Sequence, residues 1–156
     1  MAASYSLVST WRVPTGTERC WTEIERMISM PASGADSWWP SVTVLDAPRA
    51  LAPGEPLTLE VRSPIGYRLR VRLTITEVVP GRAVAASSTG DLYGAGRLDV
   101  VGDGDEASVI VFHWDVTTRR RWMNATAFAL RPIFERAHAQ VMREGERGMR
   151  AAVIVR

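Results

Sequence analysis

Across residues 41–118 apolar and polar side chains alternate with a period of two. The stretch GYRLRVRLTITEV sets Tyr67, Leu69, Val71, Leu73 and Ile75 on one side, with Arg68, Arg70, Arg72, Thr74 and Thr76 on the other. Such alternation describes an antiparallel strand with one buried face and one wet face. PLTLEVRS repeats the pattern, with Leu57, Leu59 and Val61 set against Thr58, Glu60 and Arg62. VTVLDA, RAVAASSTG, LYGAGRLDV and ASVIVFHWDVTT continue the meander, punctuated by Pro64-Ile65-Gly66, Pro80-Gly81 and GDGDE. In the last of these strands Ile110, Phe112, Trp114 and Val116 share the inward parity, which turns His113 outward.

The period changes at both ends of this block. YSLVSTWRV, residues 5–13, is rich in β-branched and aromatic residues and predicts a strand. TGTERCWTEIERMISM then carries an apolar helical stripe of Cys20, Trp21, Ile24, Met27 and Ile28. Thr15 and Glu18 have capping-box spacing at its start, and Pro31 stops it. A short turn or helical piece, ASGADS, leads into Trp38-Trp39-Pro40. From Trp122 to about residue 152 the chain predicts one long helix. At 100° per residue Met123, Leu130, Phe134 and Val141 fall within about 20° of one line. Ala127, Ala137, Gly145 and Gly148 lie beside that line, while Arg136, Arg143, Arg147 and Arg150 face away. Pro132 removes the bond to the carbonyl of residue 128 and is expected to bend the helix. Small residues facing a concave sheet either leave a cavity for an apolar ligand or let helix and sheet pack closely.

The absence of a strand–helix–strand unit in the middle argues against a dinucleotide-binding fold. The glycines of STGDLYGAGRLDV have the density of a phosphate loop, but Gly94-Ala95-Gly96 lacks the third glycine, and a strand rather than a helix follows. Leu92, Gly94, Gly96, Leu98 and Val100 share the inward parity. The glycines therefore mark a bend, a bulge or a close approach on the inner wall, and a bulge there would turn Tyr93 inward.

At 156 residues, 46% hydrophobic and 23% charged, the chain is expected to form a single domain over residues 1–156. No apolar run reaches the ~20 residues of a membrane span, and no leader-like segment opens the chain. Cys20 is the only cysteine, which fits a reducing, cytoplasmic setting. All 19 basic residues are arginine, and the net charge is +2. Acidic residues interleave with them, which argues against nucleic-acid binding; only Arg119-Arg120-Arg121 forms a short basic cluster.

Chemistry-bearing residues are few. Cys20 falls in a helical stripe without a nearby histidine and reads as packing. His113 and His138 are the only histidines, too few and too far apart for a metal site. His138 lies about 60° from the centre of the helix stripe, where it is a candidate for a structural hydrogen bond or for proton transfer. Asn124 is another polar candidate. Asp91 and Asp115 both have outward parity and make no carboxylate pair for catalysis. Arg62, Arg68, Arg70 and Arg72 form an outer basic stripe, either a solvated face or a dock for an acidic partner.

Four segments carry a resemblance: WWP (residues 38–40), GDLYGAGRL (90–98), FHWDV (112–116) and the helix RWMNATAFALRPIFERAHAQVMREGERGM (121–149). In this order they resemble bacterial members of the SRPBCC superfamily, the START-like group of polyketide cyclase/dehydrase and lipid-transport proteins. The resemblance implies an α+β helix-grip fold: a curved antiparallel sheet of about seven strands around a long C-terminal helix, with two short helices after the first strand. It also implies an apolar cavity between sheet and helix that holds a lipid, polyketide or similar molecule. Some members of the family cyclise or dehydrate what they bind, without a universal catalytic motif. The residues expected to line such a cavity are Trp39, Tyr67, Leu69, Val71, Leu73, Leu92, Phe112, Trp114, Met123, Ala127, Leu130 and Phe134. Trp39 suits a ligand wall and a packing anchor equally. Tyr67 and Trp114 bring polar atoms to an apolar surface. No cofactor or metal is expected, and the chain is expected to be a monomer or homodimer without stable membrane insertion.

Overall fold

The period-two block becomes sheet and the long stripe becomes helix. The computed structural model describes residues 4–29, 37–118 and 121–155, leaving out the side chains of residues 123, 126–128, 130 and 155. Its elements are β1 (Ser4–Val13), α1 (Thr17–Ser29), β2 (Val42–Asp46), β3 (Pro56–Arg62), β4 (Arg68–Val79), β5 (Ala83–Gly90), β6 (Leu92–Gly102), β7 (Ser108–Thr118) and α2 (Arg121–Val155). One short helix, α1, is seen among the described residues. The second expected after β1 falls on residues outside them, as does Pro31.

The strands form one seven-stranded sheet in the order β1-β7-β6-β5-β4-β3-β2. Every neighbouring pair is antiparallel. Hairpins link β2 through β7 in sequence, whereas β1 closes onto β7 from the far end of the chain. Register shifts at Ile75/Glu77 and Val44/Asp46 place irregularities in β4 and β2. Such bulges add local twist and help an antiparallel sheet to curl.

The inward parity of the sequence is the buried face. Leu69, Val71 and Ile75 of β4, Leu92 and Val100 of β6, and Ile110 and Val116 of β7 are all buried. Tyr5, Trp11 and Val13 extend that face onto β1, and Phe134, Ala137, Val141, Met142 and Met149 cover it from α2. Tyr93 is 52% exposed, so no bulge turns it inward. The helix α2 continues through Pro132. On the outer face Arg62, Arg68, Arg70 and Arg72 are exposed, with Arg68 3.7 Å from Glu60. Solvated pairs of this kind contribute ~0–1 kcal/mol.

The core has two centres. Tyr5, Leu69, Val71, Leu92, Val116 and Phe134 form one. Trp11, Val13, Cys20, Ile24, Val100, Ile110, Met142 and Met149 form the other. A tryptophan clamp holds α2 at the second. The Trp11 ring meets Trp38, Trp39 and Phe112, with centroids 6.1, 5.0 and 4.5 Å away. The Trp39 indole donates to the Val141 carbonyl at 2.9 Å, and the Ser41 hydroxyl donates to the Glu144 carboxylate.

This clamp decides between the two readings of the small residues on α2, cavity or close packing, at the two glycines. A Cβ on Gly145 would come within 2.6 Å of both the Trp11 and Trp39 rings, and one on Gly148 would run into the Trp38 carbonyl. Both glycines are consumed by close packing. The expected Thr15 capping box is also absent from the described contacts. Helix α1 begins at Thr17, its first turn closed by Cys20 N–H donating to the Gly16 carbonyl, while the Thr15 carbonyl accepts from Ser108.

The glycines of β5 and β6 have two distinct jobs. Gly90 (φ 91°) ends β5 beside the Arg70 carbonyl, where the Asp91 carboxylate accepts from Arg70 N–H at 2.9 Å. Gly96 pairs in register with Trp114, and a Cβ there would overlap the indole. The missing side chain leaves the place that Trp114 occupies.

Candidate functional site: an apolar cavity between sheet and helix

Between the inner face and α2 lies a cavity of about 300 Å³. This is near the lower end of the ~300–1,000 Å³ typical of small-molecule sites. Tyr67, Leu69, Val71 and Leu73 of the β3–β4 hairpin line it, together with Leu92 of β6. Phe112 and Trp114 of β7, Trp39 before β2, and Phe134 of α2 complete the set of expected wall residues whose side chains are described. The side chains of Met123, Ala127 and Leu130 lie outside the described residues.

Further wall residues were not singled out from sequence. Tyr5, Leu7, Ser9 and Trp11 of β1 line the cavity, and Ile24, Met27 and Ile28 of α1 close one side. The alternation of YSLVSTWRV could have revealed the first group, because Tyr5, Leu7, Ser9, Trp11 and Val13 share one parity. Ala137 is the small helix residue that does border open space.

Polar groups in the wall are sparse. Tyr5 is 7% exposed, and its hydroxyl has no hydrogen-bond partner among the described residues. The Arg131 guanidinium lies 4.5 Å from the centre of the Tyr5 ring and donates to the Ser4 carbonyl at 2.9 Å. Burial pushes the Tyr5 phenol above its ordinary value, against the pull of Arg131. Burial also raises the Tyr67 phenol, opposed by the Ser63 hydroxyl beside it. Tyr67, Trp122 and Phe134 pack edge-to-face around this end, with centroids 5.7–5.8 Å apart.

His138 also borders the cavity, and desolvation lowers its pKa. Protonation is therefore harder in the folded chain than in the unfolded one, where the ordinary value of 6.5 applies. The stability this group contributes is complete above pH 6.5 and is lost as pH falls through the folded value. Between about pH 7 and pH 5, thermal unfolding of His138→Gln is expected to show a smaller loss of Tm than the wild-type chain. Equal slopes would show that His138 does not contribute to acid sensitivity.

The other candidates lie elsewhere. His113 and Asp115 are exposed on the outer face. Asp91 is occupied with the Arg70 backbone, and Asn124 bonds the Thr118 hydroxyl at the start of α2. Cys20 is fully buried, and burial raises its thiol pKa, which opposes formation of a nucleophilic thiolate. Among the described residues no group of three or more His, Cys, Asp or Glu side chains gathers to hold a metal. No described helix is long and apolar enough to cross a membrane.

No family model matches the chain, and no curated protein matches it at a significant level. Solved structures match it over nearly its full length. The Zhui aromatase/cyclase from Streptomyces sp. R1128 is 14% identical with a TM-score of 0.70, covering 96% of this chain and 93% of its own. A START superfamily protein from Mycobacterium smegmatis is 13% identical with a TM-score of 0.68, covering 95% and 96%. Norcoclaurine synthase from Thalictrum flavum, in complex with dopamine and hydroxybenzaldehyde, is 12% identical with a TM-score of 0.58, covering 93% and 85%. The chain thus has the helix-grip fold of SRPBCC/START-like proteins. At such identities the likeness establishes the fold, and function has to be argued from the cavity.

Proposed function

We propose that the protein binds a hydrophobic small molecule between its sheet and α2. The observation that carries this reading is the cavity of about 300 Å³ with its nearly continuous apolar and aromatic wall. An empty apolar space of this size forfeits dispersion contacts that a ligand would restore. The structural neighbours support the reading, since the synthase holds two small aromatic molecules on the same fold. The alternative of an interaction module working through the arginine face predicts a filled interior, which the open cavity disfavours.

Native mass spectrometry of the purified protein, followed by a panel of apolar ring compounds and fatty acids, tests the proposal. Retained or added ligand mass at micromolar concentration is expected. Failure of every compound to bind, or to raise Tm, would overturn it.

A second reading, a cyclase or dehydratase acting on the bound molecule, draws support from His138. A neutral imidazole at the cavity wall is suited to accept a proton from an enolising substrate. Turnover of a polyketone that is lost in His138→Gln, with binding retained, would favour this reading.

A further inference from the structure

The cavity wall holds a buried hydroxyl without a partner among the described residues, and this says what kind of molecule the cavity takes. We propose that the Tyr5–Tyr67 end receives the carbonyl oxygen of a compact ring ketone or quinone, whose apolar rings lie toward Phe112 and Trp114. The inference rests on the cavity being a binding site.

The Tyr5 hydroxyl carries the argument. It is buried in a largely apolar wall and, like the Trp11 indole N–H beside Phe112, has no partner among the described residues. An orphaned buried donor is destabilising, and an acceptor arriving with the ligand would recover that loss. The hydroxyl can donate one proton, so its natural complement is an oxygen with free lone pairs. Burial, opposed by the Arg131 guanidinium over the ring, keeps the phenol protonated and therefore able to donate. Tyr67 packs against the core cluster that contains Tyr5 and has Ser63 beside its own hydroxyl, so the two phenols belong to one end.

Charge complementarity narrows the class further. Among the described residues the charged or titratable ones bordering the cavity by any atom, apart from the two tyrosines, are Arg97, His113 and His138. Arg97 is held by Asp99 at 3.1 Å and Glu77 at 3.4 Å, and His113 is exposed on the outer face. His138 is held toward its neutral form. Among the described residues no free cation faces inward to compensate a carboxylate or phosphate, which favours a ligand whose buried end is neutral. A volume of about 300 Å³ fits about two or three rings and not a two-chain lipid. The aromatic walls of Trp39, Phe112 and Trp114 suit flat ring faces.

Fluorenone and fluorene test this directly, since they share one ring system and differ by a carbonyl. Isothermal titration is expected to show fluorenone binding about tenfold tighter than fluorene to the wild-type chain. In Tyr5→Phe that preference should fall to within about twofold. The infrared carbonyl stretch of bound fluorenone supplies an independent readout without substitution. It should lie below its frequency in an apolar solvent, and return toward it in Tyr5→Phe. Equal affinity for the two probes, or an unshifted carbonyl band, would overturn the proposal while leaving the cavity reading intact. Binding of neither probe, with other apolar compounds of the panel bound, would overturn the proposal alone, whereas failure of the whole panel would overturn both.

Discussion

Replacement of Trp11 by alanine is expected to lower the stability of the protein by about 3–5 kcal/mol. Its ring is 1% exposed and touches Trp38, Trp39 and Phe112 while resting on Gly145. Truncation removes the body that glycine at 145 was needed to admit, and leaves a hole continuous with the cavity that Trp11 lines. For a domain of this size, about 2–4 °C per kcal/mol corresponds to a fall in Tm of roughly 6–20 °C. Urea unfolding and calorimetry give the two measurements. Trp11→Phe should cost less, because the buried indole N–H has no partner among the described residues and its removal relieves that penalty. A loss below about 1 kcal/mol in Trp11→Ala would show that the clamp does not hold α2.

Ala137→Trp is expected to weaken binding of fluorene and similar apolar probes by about tenfold or more, with the fold preserved. Ala137 is 4% exposed and borders the cavity from α2, between Phe134 and Val141 on the same stripe. An indole attached there would occupy the space offered to the ligand. Because that space is otherwise empty, new dispersion contacts offset the cost of ordering the ring, and Tm should hold or rise. Unchanged affinity in a variant that unfolds at the wild-type temperature would move the binding site out of this cavity. The pair of substitutions separates two roles that the wall residues share. Trp11 closes the cavity from the core side, whereas Ala137 keeps it open.

Much of this architecture was readable from the chain. The alternation from Tyr67 to Ile75 specified which side of β4 is buried, because a strand's side chains change face at every residue. The same rule placed Phe112 and Trp114 inward and His113 outward. The stripe through Phe134 and Val141 specified the buried line of α2. The inward glycines of β6 were legible as a peculiarity of the wall, though not as the seat for Trp114.

Other features depended on contacts between distant segments. Periodicity gave Gly145 and Gly148 the same standing as Ala137, since all three lie near one helix face. Packing then divided them: the tryptophans and the Trp38 carbonyl fill the glycine positions, while Ala137 borders open space. Likewise, no local pattern marks the Tyr5 hydroxyl as an orphan, since a phenol's partners come from whatever the fold brings near it. Local sequence determined the strands, the helices and their buried faces, because backbone periodicity and side-chain polarity act over neighbouring residues. Tertiary structure alone decided where space remains and which polar atom is left to face it, because both depend on side chains more than a hundred residues apart, as with Trp11 and Gly145.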